Sequence, residues 1–328
     1  MECSFYDMSL TRIGAISTWV SMVWEDCYNT EGKFQIELQY QKDMFDLIQP
    51  DVYCGLTGHD TLMLIKSVQV KDGKIVANGF SACTRILNDR VSTRVISNQN
   101  AEAALLSLIS AMQAWPRVYA GEAQGLADIY APQISDGALL KYALAISAET
   151  DMGFRMRHDP AAKKLIFECY KPALNSNARY STKYGNMGDI TYSSSDVNFK
   201  NVALVAGAGE GANRVETYAG ATDAAAEQRR EMYVDARQEQ PDEGETSEEY
   251  IARLQRVGLE KLTEQVRIEN IGFSLDDTAR KVGDLVLCKI PELGVDAQVR
   301  ITGITEKSQN NKLTRTASLG TPIIARRY

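Results

Sequence analysis

The chain has 328 residues, 44% of them hydrophobic and 24% charged, which is the balance of a folded globular protein with two or three modules of about 100–150 residues. With 43 acidic against 36 basic residues the formal charge is −7, which argues against affinity for a phosphate backbone and fits a soluble surface, or one past which DNA slides without sticking. No apolar run approaches the ~18 residues of a membrane span, and the start Met-Glu-Cys-Ser-Phe-Tyr-Asp has neither the basic region nor the apolar core of a secretory signal, so neither is expected.

The first hundred residues read as β structure. Ile13 to Trp24 is apolar and β-branched, and Lys33-Phe34-Gln35-Ile36-Glu37-Leu38 alternates as a half-buried strand does, with Gly32 at the expected hairpin turn. Leu62 to Val70 and Lys74 to Phe80 flank Lys71-Asp72-Gly73, where Asp-Gly is a strong hairpin signal. Trp24, Tyr28 and Phe34 are expected as core or rim aromatics. Trp19, Trp24 and Tyr28 could instead form a platform for glycans.

The period then changes. Asn98 or Asn100 can cap a helix through Ala103, Leu105, Leu108, Ile109 and Met112, closed by Pro116. A second helix is expected from Ser135-Asp136, burying Leu139, Leu140, Leu144 and Ile146 and stopping by Gly153. Phe154 to His158 and Leu165 to Phe167 form a hairpin around Asp159-Pro160. Two helices on a small sheet make this an α+β insert.

Val202 to Ala206 reads as a strand followed by Gly207, Gly209 and Gly211, which superficially suggests a nucleotide loop. A dinucleotide fingerprint needs a helix next, and a Walker loop needs Lys-Ser or Lys-Thr. Arg214 to Tyr218 supplies neither. It alternates in polarity and is β-branched and aromatic, so a β-hairpin with a glycine-rich connection is expected. A strand Glu231 to Asp235 follows, on which Asp235 and Arg237 share a face. Gln238 to Glu249 holds six carboxylates and no base and reads as a solvated loop. Thr246 and Glu249 have capping-box spacing for a helix with Ile251, Leu254 and Leu262 on one face. Strands are expected at Val266 to Phe273, Leu285 to Lys289 and Val299 to Thr305. Gly283-Asp284 forms a turn, with the Asp284 carboxylate on nearby backbone N–H groups.

Candidate chemistry is sparse. The six cysteines, at 3, 27, 54, 83, 169 and 288, have no zinc-clamp spacing and are expected as reduced core thiols. His59 and His158 both read as exposed loop histidines. Cys54 and His59 could be imagined as a nucleophile and base, but a buried thiol near a loop is the simpler reading. No catalytic constellation, metal site or cofactor is expected.

Four motifs in order carry a family resemblance. They are Ser21-Met-Val-Trp24-Glu-Asp-Cys-Tyr28-Asn-Thr-Glu-Gly32-Lys-Phe34-Gln-Ile36-Glu-Leu38, the glycine hairpin of 201–218, Arg229-Arg-Glu231-Met-Tyr233-Val-Asp235-Ala-Arg237, and Gly283-Asp284-Leu-Val286 with Val299-Arg-Ile301-Thr-Gly-Ile304-Thr-Glu306. The order resembles the baseplate or tail-tip hub proteins of long-tailed bacteriophages and prophages, which are similar to the central hub of contractile tails. The resemblance implies an α+β, β-rich fold of two barrel-like modules, an α+β insert and a further helix. Boundaries are expected at 1–97, 98–171 and 172–328, with the acidic loop and helix at about 238–264. It further implies a homotrimeric ring that adapts a six-fold tail tube to a three-fold tip, with a tail-tube or distal tail protein as partner on one side and a spike, fibre or tip protein on the other. Such a protein sits in the virion tail tip or baseplate, with DNA only as passing cargo and no stable membrane association. Trp24, Tyr28, Gly32, Phe34, Gly207, Gly209, Gly211, Asp235, Arg237, Gly283 and Asp284 are then structural motif positions. A wall-degrading hydrolase and a carbohydrate-binding tail module are the alternatives.

Overall fold

The structure, a computed structural model, describes residues 1–92, 99–111, 115, 117–130, 137–172, 174–263, 265, 268–274, 281–309 and 312–320. Strand accounts for 45% of it and helix for 21%, so the expected β-rich α+β class holds. The chain packs as two compact units, one of Met1–Ile190 with Gly272–Leu319, the other built on Thr191–Ile271.

The larger unit is organised by one long antiparallel run of strands. In spatial order they are Lys312–Leu319, Val295–Gln309, Ser21–Cys27, Lys33–Gln39, Lys74–Ser81, Leu62–Lys71, Tyr53–Leu56, Cys3–Tyr6 and Arg12–Ile16. Strict alternation sorts the side chains. Met22, Trp24, Phe34, Ile36, Leu38, Ile75 and Ala77 face the core, while Gln35 and Lys33 face solvent. The expected turn at 71–74 is present: Asp72 and Gly73 both take positive φ, 50° and 72°, which suits the right-handed twist of the strands they join. The apolar, β-branched stretch from Ile13 to Trp24 contributes to two strands, Arg12–Ile16 and Ser21–Cys27, on different parts of the sheet. The strand expected at Val299 to Thr305 runs from Val295 to Gln309. Its first half pairs with Leu285–Ile290 and its second with Ser21–Cys27, so it is long because it has two partners in succession.

The two helices and the hairpin expected between 98 and 171 are present. Helix Ala101–Ala111 is capped by Asn100, whose Oδ1 accepts from Ala103 N at 2.8 Å. Helix Leu139–Thr150 ends at Asp151, left-handed at φ 54°. Leu139 and Ile146 are buried as expected. Leu140 and Leu144 are only half-buried, because Tyr142 and Ala143 occupy the core-facing stripe. Both helices share a core with Phe154, Met156, Leu165 and Phe167 of a sheet ordered Val118–Ala120, Lys164–Tyr170, Gly153–Asp159. Two short helices, Lys42–Leu47 and Ala82–Asn88, carry no readable signal; the second buries five of its seven residues and so lacks a polar stripe. Asn98, Met112, Pro116, Ser135, Asp136 and Val266, named above as helix caps, ends or a strand start, lie outside the described residues.

In the smaller unit Val202–Ala206 is the central strand, antiparallel to Glu216–Gly220 and parallel to Glu231–Asp235. Helix Ser247–Thr263 opens on the expected box, with Glu249 N donating to Thr246 Oγ1 at 3.3 Å and Thr246 N to Glu249 Oε2 at 2.9 Å. Ala203, Val205 and Val234 pack against Tyr250 and Leu254. Gly258 lets the helix approach closely, since a Cβ there would sit 2.6 Å from Val205 Cγ2 and 2.9 Å from Ala219 Cβ. Gly258→Val is therefore expected to destabilise this unit by about 1–3 kcal/mol through overpacking, read as a lowered thermal midpoint.

Candidate functional site

The motif positions fall into two groups, one in each unit. In the larger unit Trp24 and Phe34 are opposite one another on paired strands, their rings edge to face at 5.7 Å. Trp24 is fully buried and donates from Nε1 to Asp26 Oδ2 at 3.1 Å. Trp19 is half-buried with its Nε1 on Ser308 Oγ, and the half-buried Tyr28 ring lies under the Arg300 guanidinium at 4.6 Å. A glycan platform of these three rings would need open faces. Trp24 has none. At Gly32 a Cβ would lie 2.4 Å from the Glu25 carbonyl oxygen, which accounts for glycine at that hairpin.

Gly283 and Asp284 meet Tyr28 through a buried arginine. Arg300, 5% exposed, donates from Nη1 to Gly283 O at 2.8 Å and from Nη2 to both Asp151 carboxylate oxygens at 2.7 and 2.6 Å. Gly283 N reaches Ile301 O, Ile301 N reaches Asp284 O, and Lys281 N donates to Asp284 Oδ2 at 3.1 Å. The turn is thus sealed onto the long strand. The expected role of the Asp284 carboxylate matches what is seen.

A second polar cluster lies beside Trp24. His59 does not hang from an exposed loop, as its polar neighbours suggest. Its Nδ1 is 3.0 Å from Asp26 Oδ2, its Nε2 is 3.3 Å from Glu306 Oε2, and its ring lies 4.9 Å from that of Trp24. Glu306 stands opposite Trp24 on one side and Arg315 on the other, with Arg315 Nε 3.2 Å away. Burial opposes a charge on His59, but hydrogen bonds to the two carboxylates outweigh it and push its pKa up to about 9. The His59 contact holds Glu306 below the usual carboxylate range. His158 is likewise not exposed: it sits half-buried in strand Gly153–Asp159 against Tyr6, and burial keeps its pKa low.

This geometry bears on catalysis. Cys54 is fully buried, and burial together with the neighbouring Cys3 thiol raises its pKa well above the ordinary value. Both nitrogens of His59 are committed to carboxylates, so it has no free lone pair with which to take a proton from that thiol. Among the described residues no group of three or more His, Cys, Asp and Glu side chains could hold a metal, and no helix is long and apolar enough to cross a membrane.

The His59 cluster predicts a pH dependence. A pKa raised from 6.5 to about 9 stabilises the fold fully below pH 6.5, and that contribution, on the order of 3 kcal/mol, is lost as pH rises through about 9. The lowered pKa of Glu306 acts the other way, its contribution present above the ordinary 4.5 and lost as pH falls. Denaturant midpoints measured from pH 4 to 10 are expected to peak between about 4.5 and 6.5 and fall toward 10. His59→Gln should flatten the alkaline limb.

In the smaller unit the glycines form a hairpin connection and not a phosphate cradle. Gly209 and Gly211 take φ of 99° and 56°, a single turn of 3-10 helix spans Gly211–Asn213, and the return strand begins at Glu216. At Gly207 a Cβ would strike the Tyr250 hydroxyl and Leu254, so this glycine admits the helix. Arg214 locks the connection. It donates to Gly207 O, Ala206 O, the Tyr233 hydroxyl and Asp235 Oδ1. Asp235 also pairs with Arg237, whose Nε lies 3.0 Å from both carboxylate oxygens and whose Nη2 donates to Oδ2 at 2.6 Å; with Arg214, these hold its carboxyl far below the usual range. The acidic loop is less free than its composition suggests, because Arg253 grips Glu239 and Glu245. Sequence reasoning misread His59 and gave no role to Asp26, Glu306, Arg300, Arg214 and Arg253, charged residues whose partners lie outside their own strand or turn.

The sequence model of the Siphovirus ReqiPepy6 Gp37-like protein family matches residues 109–321. The fold is similar to that of the 43 kDa tail protein of prophage MuSo2 from Shewanella oneidensis, at 11% identity, TM-score 0.59, and coverage of 97% of this chain and 98% of that one. It is similar also to a tail protein from Neisseria meningitidis MC58, at 13% identity, TM-score 0.59, and coverage of 97% and 96%. Prophage tail protein gp18 from Listeria monocytogenes EGD-e follows at 9% identity, TM-score 0.50, and coverage of 98% and 94%. No curated protein matches the chain in sequence.

Proposed function

The chain belongs to the Siphovirus ReqiPepy6 Gp37-like family, and from that premise we propose that it is a structural protein of a phage tail, acting as the hub of the tail tip or baseplate. The observation that carries this reading is the likeness of fold to tail proteins over nearly the whole of both chains. In the proposed assembly three copies form a closed ring, which meets a six-fold tube on one side and a three-fold spike, fibre or tip on the other. A closed symmetric ring satisfies every interface it opens, so it does not grow into a fibre. The β modules expected at 1–97 and 172–328 would supply the ring. Trp24, Tyr28, Gly32, Phe34, Gly207, Gly209, Gly211, Asp235, Arg237, Gly283 and Asp284 serve this role by fixing the shape of strands and turns. The ring needs no cofactor, and DNA passes it as cargo.

Placing the chain within the particle tests the proposal. A compact tag at its N-terminus, imaged by electron microscopy of purified tails, is expected at the end of the tube away from the head. Labels spaced along the tube, or tails that carry none, would overturn it.

A further inference from the structure

We propose that the loop Leu56–Thr61 is a protonation-dependent clasp, in which His59 grips Asp26 and Glu306 of the long sheet while its neighbour Asp60 grips Arg155 and the strand Gly153–Asp159 of the insert. The loop is the connection between paired strands Tyr53–Leu56 and Leu62–Lys71, and it faces two ways. On one side are the contacts of His59 at 3.0 and 3.3 Å, to residues on two adjacent strands. On the other, Asp60 O accepts from His158 N at 2.7 Å, Asp60 Oδ2 accepts from Arg155 Nη1 at 3.1 Å, and Thr61 forms a β-bridge with Arg157. Thr57 N and its hydroxyl, each donating to Glu2 O at 3.0 Å, pin the start of the loop. The residues from Thr57 to Thr61 therefore contact Glu2, the long sheet and the small sheet within one unit.

The proton is what closes it. An imidazolium has two N–H donors and can satisfy both carboxylates at once; a neutral imidazole has one. Loss of the proton turns a lone pair toward Asp26 or Glu306, so an attraction becomes a repulsion in a site where His59 and Glu306 side chains are each 14% exposed. The other charged groups around the ring do not replace the lost donor. Arg315 already faces Glu306 from the next strand, and Arg155 is turned to Asp60 and Glu168. The His158 ring, disfavoured as a cation by burial, packs on Tyr6, and only its backbone N–H joins the clasp. The two sheets of this unit need not part: the shared core of Tyr53, Leu64, Phe154 and Phe167 persists, and what is released is the loop and the edge of Gly153–Asp159.

With only two histidines in the chain, the titration can be read directly. Histidine-labelled protein should give one imidazole signal that titrates near pH 9 and is lost in His59→Phe. Hydrogen exchange, corrected for intrinsic rate, should then quicken about 10-fold or more in 56–61 and 153–159 between pH 7 and 10, while Lys33–Gln39 is unchanged. In His59→Phe both segments should exchange quickly at pH 7 already. Should that variant fail to fold, Asp60→Ala, altered at a half-exposed side chain, should release 153–159 without moving the titration of His59. A His59 signal titrating below 7, or protection of both segments that is the same at pH 7 and 10, would overturn the clasp.

Discussion

Replacing Trp24 with alanine is expected to destabilise the larger unit by about 3–5 kcal/mol, the range for removing a large aromatic from a packed core. Three losses combine at this position. The side chain is fully buried among Met22, Phe34 and Ile36 of the sheet core, so a cavity opens. Its edge-to-face contact with Phe34 goes. Its Nε1 no longer donates to Asp26, which keeps its contact with His59. Chemical denaturation should show a large fall in midpoint, with Trp24→Phe recovering the packing but not the hydrogen bond. A surface platform for sugars predicts instead that Trp24→Ala is nearly neutral in stability.

The second large effect is expected at Arg300. Arg300→Met keeps much of the side chain's apolar length but removes three charge-assisted hydrogen bonds and the cation above Tyr28. A buried hydrogen-bonded cation broken from its partner costs about 3–5 kcal/mol when the partner is trapped as well. Here the Asp151 side chain is 45% exposed and can turn to water, so the lower end, about 3 kcal/mol, is expected. Asp151→Asn should cost less, and the double variant should cost clearly less than the sum of the two, because each single change already breaks the same pair. Simple additivity would mean that Arg300 acts through Gly283, Tyr28 and packing and not through Asp151.

Local order was legible wherever a short segment decides its own structure. The Asp72-Gly73 turn, the Thr246–Glu249 box, the Asn100 cap and the hairpin after Val202–Ala206 each follow from neighbours a few residues apart, and each is present. The rejection of a nucleotide loop rested on the same kind of reasoning. What was not legible is pairing across the chain. Nothing within Ser21–Cys27 announces that its second partner is Gly303–Gln309, nearly three hundred residues away, since both strands show only the alternation that any sheet neighbour would satisfy. The histidines were misread for the same reason. His59 stands between Gly58 and Asp60, an ordinary loop by composition, and its character comes from Asp26 and Glu306, which only the long-range pairing brings to it. Trp24, expected as a core or rim aromatic, is in the core, but its hydrogen bond to the residue two positions on belongs to this network and not to the strand pattern.

The most direct test of the hub assignment is the copy number of this chain in purified tail particles, relative to the tail-tube subunit. About three copies per particle against many six-fold tube rings is the predicted result. A count near that of the tube subunit, or particles lacking the chain while it remains in the lysate, would contradict it.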